Sequence, residues 1–312
     1  MVEPTTPPTT TPPVTTPPAS SYPTPSPSTY FKWTASGSTA KLTSFAGPNG
    51  ADVVIPQTVE ISGVARTVTA IDTSAFSGKG IKSVVIPDSV SSIGAYAFNG
   101  NYLTTVKLPS SLTAVAQSSF SNNYLGSVTL PEGLKTVGAS AFESNRLTKL
   151  TLPSSVTTIG TLSFAKNYLS SLQLSSSMTA VPDSAFTTNY LSTVTIPEGV
   201  THIEASAFGN NVYLTTVNLP STLKVVANKA FLDSALAEVR IPASVISIGT
   251  NSFDSGSKLK RVYMEGNPPV VFTSAGSTGS FGVAASGKTV YFKGTTSGYT
   301  SPTWKGYASA KY

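Results

Sequence analysis

Residues 122–142 read "NNYLGSVTLPEGLKTVGASAF", and residues 189–208 read "NYLSTVTIPEGVTHIEASAF". The later stretch keeps the apolar, proline and phenylalanine positions of the earlier one, so the pattern marks either a duplicated site or a scaffold. Counting decides. Phenylalanines preceded by Ala or Ser fall at Phe76, Phe98, Phe120, Phe142, Phe164, Phe186, Phe208, Phe231 and Phe253, with steps of 22 residues and one of 23, where Val212 is the extra residue. An apolar residue followed by proline recurs in the same phase at Pro87, Pro109, Pro131, Pro153, Pro197, Pro220 and Pro242, and Ser175 stands where one proline is missing. Each unit reads L-x-x-V-x-L-P-x-x-L-x-x-I-x-x-x-A-F-x-x-N-Y. A period of this length predicts a solenoid in which every unit buries its apolar residues against its neighbours.

Position within the unit assigns each residue a physical role. In "LTTVKL", residues 103–108, Leu103, Val106 and Leu108 are expected to point inward and Thr104, Thr105 and Lys107 outward, in a short strand paired in parallel with its equivalents above and below. Pro109 ends that strand because it has no N–H for the ladder. A return loop brings Leu112 and Val115 back to the core, and Ser119 with Phe120 packs a small residue and a ring against the next coil. Asn101, Asn123, Asn145, Asn167, Asn189 and Asn211 recur three residues after most of the phenylalanines. Their amides are expected to satisfy backbone groups freed by a tight bend, and the row is expected to weaken where Ser234 takes the position.

The joint recurrence of "LP", "IG", "AF" and "NYL" over about residues 40–300 resembles the BspA-like leucine-rich repeats found on bacterial surfaces and in some protozoa. That resemblance implies a right-handed, mainly β coil of about nine repeats, with a parallel sheet on one face and β caps at both ends. It implies an N-terminal cap and first repeat over residues 30–80, repeats over 81–257, and a C-terminal cap over 258–312 in which Trp304 covers the last coil. Without caps a solenoid would expose an apolar face and a row of unpaired strand groups.

Ahead of the repeats, residues 1–29 hold ten of the 23 prolines of this 312-residue chain, with Thr and Ser filling most of the rest. Such a segment cannot bury a core and reads as an extended polyproline-II linker, rising about 3.1 Å per residue. Linkers of this kind join modules of secreted proteins, so an extracellular, secreted or wall-anchored location is expected, with a signal peptide and other domains upstream in the parent protein. The chain has no cysteine, which removes disulfides, thiolate metal sites and a cysteine nucleophile. No apolar run approaches the roughly 20 residues of a membrane helix. Charged residues make up only 11% and the net charge is +6. The cations are scattered, without interleaved aromatics, which argues against nucleic acid.

Catalysis finds little support. His202, the one histidine, has no second histidine for a metal cluster and reads as a surface or loop residue. Glu132 and Glu198 share a repeat position with Asp88, but at about 4.8 Å per coil they lie roughly 14 Å apart, beyond either glycosidase geometry. The expectation is a chain that binds rather than catalyses, without cofactor or metal.

Two surfaces are candidates for contact. One is the row Tyr102, Tyr124, Arg146, Tyr168, Tyr190 and Tyr213, one residue per coil. A column of rings could stack sugars or grip a protein strand; equally, the rings could stack on one another and cover the Asn corner. The other is the outward face of the strands, where Val85, Lys107, Thr129, Thr151, Gln173, Thr195, Asn218 and Arg240 form one column and Lys149 belongs to the column beside it. That face reads as small, hydroxylated and weakly positive, without aromatic anchors. The family resemblance implies adhesion to extracellular proteins, other cells or polysaccharides. A carbohydrate-binding accessory module of a larger secreted enzyme, and a passive subunit that self-associates, are the alternatives.

Overall fold

A computed structural model describes residues 22–274, 276–283, 287–294 and 296–312; most of the Pro/Thr linker, residues 1–21, lies outside the described residues. The chain winds into a mainly β solenoid of about ten turns, and among the described residues the only helical element is the 3-10 turn Ser28–Tyr30. Its spine is a continuous column of phenylalanines from Phe45 through Phe76 and every repeat to Phe253 and Phe281. The rings of Phe142 and Phe164 lie 5.5 Å apart at 8°, an offset parallel stack that the quadrupole of each ring favours. Phe45 and Phe281 lie outside the nine counted phenylalanines, so both caps continue the same core.

Most coils carry strand segments on two faces, but residues 103–108 and 125–130, expected as paired strands, run along the first face without forming a regular ladder. On the first face Lys149–Thr151 pairs in parallel with Ser171–Gln173, and Thr193–Thr195 with Thr216–Asn218, in register one coil apart. The return leg is also a strand. Ala114–Val115, Thr136–Val137 and Thr158–Ile159 form one parallel ladder, and Ala180–Val181 through Val271–Phe272 form another. Sequence reading made this leg a loop with Val115 inward; the structure corrects that to a second sheet, whose β-branched residues Val115, Val137, Ile159 and Ile203 are all buried.

The third corner turns on backbone geometry. Ser140 and Ser144, two residues either side of Phe142, are left-handed with φ of 52° and 56°. This kink lets the N–H groups of Ser140, Phe142 and Ser144 donate to carbonyls of the next coil at 2.8, 2.9 and 3.0 Å. The asparagines then close the bend. Asn145 accepts from the Leu125 N–H at 3.1 Å through Oδ1, while its Nδ2 donates to the carbonyls of Phe120 and Phe142 at 2.9 and 3.2 Å. The amides therefore bond backbone of two adjacent coils rather than each other. Asn101, Asn123, Asn167, Asn189 and Asn211 repeat the arrangement. Past Asn211 the hydroxyl of Ser234 bonds that of Ser255 instead.

Both ends are closed as the edge-strand argument requires. At the N-terminus Phe31–Ser36 and Thr39–Phe45 form a hairpin, and Thr39–Phe45 pairs in parallel with Val64–Ile71, which leads into Ser92–Ile93 of the second face. The end of the linker also takes part. The N–H of Ser26 donates to the Val54 carbonyl at 3.0 Å, its hydroxyl accepts from the Val54 N–H at 2.9 Å, and the Tyr22 hydroxyl donates to the Ile55 carbonyl. These residues run along the outer edge of Asp52–Val54. At the C-terminus Tyr307–Lys311 adds in parallel and the antiparallel Thr303–Trp304 ends the sheet, with Trp304 buried against Phe272 and Tyr299.

One buried hydroxyl has no partner. Ser163 precedes Phe164 at a position held by Ala in six other coils, and its Oγ is buried without a hydrogen bond, whereas Ser119 bonds Ala116 and Ser252 bonds Ala227 and Gly249. An unsatisfied buried hydroxyl costs on the order of 1 kcal/mol or more. Ser163→Ala is expected to raise stability by about 1 kcal/mol in urea unfolding. A lowered midpoint would count against this reading.

Candidate binding surfaces

The outward column of the first face lies where the repeat places it: Lys107, Thr129, Thr151, Gln173, Thr195 and Asn218 are spaced one coil apart, and Thr151 pairs with Gln173 and Thr195 with Asn218. Lys149 lies beside this column, opposite Ser171. Grooves open where adjacent coils of this face form no ladder. One of about 500 Å³ is lined by Val106, Lys107, Leu108, Thr129, Leu130 and Pro131. A larger one of about 610 Å³ contains Asn218, Arg240 and the carboxylates of Glu198, Glu238 and Glu265. Glu198 is engaged there, accepting from the N–H and hydroxyl of Ser221 at 3.1 and 3.0 Å.

The column does not end at Arg240. Ladder pairing carries it through Tyr263 and Tyr291. The signal was in the sequence: "RVYMEG" at 261–266 and "TVYFKG" at 289–294 repeat one another without the proline that marked the other strands. This end places aromatic rings on a face expected to lack them. The guanidinium of Arg240 lies 4.3 Å from the centre of the Tyr263 ring, Tyr263 stacks on Tyr291 at 5.1 Å, and Tyr312 meets Tyr263 edge-on at 5.4 Å. Charges lock the rings in place. Glu265 bridges Arg240 at 3.1 Å and Lys293 at 2.6 Å, and Arg261 pairs with Glu238 at 2.9 Å. Lys293 holds the Glu265 carboxyl below its ordinary range against the opposing effect of burial, and burial followed by Glu265 pushes the Tyr312 hydroxyl up.

The edge column is also assembled. Tyr102, Tyr124, Tyr168, Tyr190 and Tyr213 are between 41 and 57% exposed. Tyr102 stacks on Tyr124 at 5.9 Å and 10°, Tyr190 on Tyr213 at 5.7 Å and 21°, and the Arg146 guanidinium covers Tyr124 at 4.3 Å. Mutual stacking is present at two pairs of this row, Tyr102 with Tyr124 and Tyr190 with Tyr213. Stacked rings present edges and hydroxyls to solvent, so most of the faces on which a sugar would lie are already occupied.

His202 lies half-buried in the strand His202–Ile203, bonded to the Thr201 hydroxyl at 2.8 Å, rather than in a loop. Among the described residues no three His, Asp or Glu side chains come together to hold a metal, and no helix is long and apolar enough to cross a membrane.

Stacked coils, two parallel ladders, a phenylalanine spine and an asparagine corner define a capped leucine-rich-repeat solenoid. This chain belongs to the BspA-type leucine-rich repeat family, whose model matches residues 69–192 and 179–277 in six copies. A leucine-rich repeat protein from Bacteroides ovatus is similar in fold, with a TM-score of 0.74 and 23% identity over 84% of this chain and 70% of its own. The pneumococcal vaccine antigen PcpA matches with a TM-score of 0.50 and 21% identity over 86 and 87% of the two chains. No curated protein matches the sequence.

Proposed function

We propose that this chain is a protein-binding module of a secreted or cell-surface bacterial protein, and that it holds its partner on the outward column of the first face. The observation that carries this reading is the C-terminal cluster of Arg240, Tyr263, Tyr291 and Tyr312 beside the groove at Asn218. Arg and Tyr dominate binding energy at protein interfaces, above all when rigid and close to a pocket that excludes water. Here salt bridges and stacking fix the side chains in advance, so little rotamer entropy is lost on binding. Thr195 and Asn218 extend the surface, their side chains already bonded to each other at 3.1 Å. The Pro/Thr linker, the low charge content and the family support a place outside the cell. Adhesion to a host protein or to another cell is the role that follows.

The test begins with proteins captured on the immobilised chain from extracellular or host-surface preparations, identified and then purified. Arg240→Ala with Tyr263→Ala is expected to weaken binding of such a partner by at least about 100-fold, roughly the sum of two interface anchors. Unchanged affinity, or retention of polysaccharides in place of any protein, would remove this reading.

A further inference from the structure

The edge column is broken at one place, and the break has the dimensions of a binding slot. Its backbone is regular from Tyr124 to Tyr190: the N–H groups of Tyr124, Arg146, Tyr168 and Tyr190 donate to the leucine carbonyl of the previous coil at 2.9, 3.0, 3.0 and 2.9 Å. Side chains alone make the gap. Arg146 leans toward Tyr124, with its guanidinium 4.3 Å from that ring. Tyr168 lies 5.5 Å from Tyr190 with the rings at 53°, and among the described residues no ring or guanidinium covers its other side. Two coil steps separate the Tyr124 and Tyr168 positions, and where rings of this column stack one step is 5.9 or 5.7 Å, so two come to about 11.5 Å. With 4.3 Å of that taken up by the guanidinium contact, roughly 7 Å is left, which is two van der Waals contacts of about 3.5 Å on either side of a planar group.

The walls specify the occupant. One is a cation and the other the face of a phenol, so an aromatic ring is attracted on both sides, by the guanidinium and by stacking. Arg146 is exposed, and among the described residues no carboxylate lies within ion-pair distance of it, whereas neighbouring Lys166 is paired with Glu143 at 2.9 Å. Planar, bidentate recognition of a carboxylate is what an arginine in this state is built for. The net charge of +6 favours an acidic segment over a basic one.

We infer that the slot between Arg146 and Tyr168 binds an aromatic side chain of an acidic protein segment, with the ring between the two walls and an adjacent carboxylate on the guanidinium. This surface is separate from the Arg240 cluster, and the two stand or fall independently.

A suitable probe is acetyl-Asp-(5-fluorotryptophan)-Glu-amide, followed by fluorine NMR against the full chain. Saturable binding with a Kd of about 1 mM is expected, since one stacked and charge-paired side chain supplies only a few contacts. Arg146→Tyr restores the residue found in the other coils of the column and fills the slot without disturbing the fold. It should weaken binding at least tenfold, and a peptide with leucine in place of the fluorotryptophan should not bind detectably. Arg240→Ala with Tyr263→Ala should leave the peptide affinity unchanged. The inference fails if the peptide shows no saturable binding to the wild-type chain. It fails equally if Arg146→Tyr binds as well as wild type, or if adenosine monophosphate at equal concentration displaces the peptide, which would mark the slot as a site for bases.

Discussion

Asn145→Ala is expected to lower the stability of the solenoid by about 2 kcal/mol, although it removes only a carboxamide. The side chain is buried and forms four hydrogen bonds, one accepted from Leu125 and three donated to Phe120, Phe142 and Glu143. Alanine leaves the Leu125 N–H buried without a partner, at a cost of about 1–3 kcal/mol, while the carbonyls of Phe120 and Phe142 lose one donor each and keep Asn123 and Asn167. The coil cannot move to satisfy the N–H because its neighbours hold it from both sides. Asn145→Asp keeps the acceptor for Leu125 but sets a carboxylate oxygen against the carbonyls of Phe120 and Phe142 in place of the donor, so in urea unfolding at neutral pH it should be at least as destabilised as Asn145→Ala. A loss below about 1 kcal/mol for Asn145→Ala would mean that water replaces the amide, and that the corner is held by the left-handed turns alone.

Asn145 also connects scaffold to surface. It precedes Arg146, so the bonds that fix the bend fix the starting point of the guanidinium. The edge column inherits its spacing from the asparagine row beneath it.

Much of this was legible because a repeat reads the same feature many times. One phenylalanine says little, but nine in phase specify a spine, and the asparagines three residues later could be placed at a corner before their partners were known. The return strand was harder to read. Its two-residue segments, such as Thr136–Val137, are too short for alternation to show, and only the recurrence of a β-branched residue at the second position marks them. The caps were harder still because there the unit changes. "RVYMEG" and "TVYFKG" lack the proline by which the strands were counted, so the outward column was followed to Arg240 and not to Tyr263 and Tyr291. For the edge column, sequence gave the residues but not how they lean. Whether Arg146 turns toward Tyr124 or Tyr168 depends on rotamers, and the slot exists only because it turns toward Tyr124.

Phe164→Ala is expected to have the larger consequence for how the chain unfolds. The ring is fully buried and lies between Phe142 at 5.5 Å and Phe186 at 5.8 Å, nearly parallel to both. Truncation removes two stacking contacts and leaves a cavity in a core one residue deep, for a loss of about 3–5 kcal/mol. Location adds a second effect. A solenoid is coupled only through nearest neighbours, so a weak interface near its middle divides it into two blocks whose free energies no longer need to be lost together. The wild-type chain should unfold as one transition and Phe164→Ala as two, with hydrogen exchange showing unequal protection of residues 31–142 and 186–292. Phe253→Ala, close to the C-terminal end of the same column, removes the same side chain but should fray only the last coils and leave the larger block intact. If Phe164→Ala still unfolds in a single transition, the two parallel ladders and the asparagine row carry more of the coupling between coils than the phenylalanine spine does.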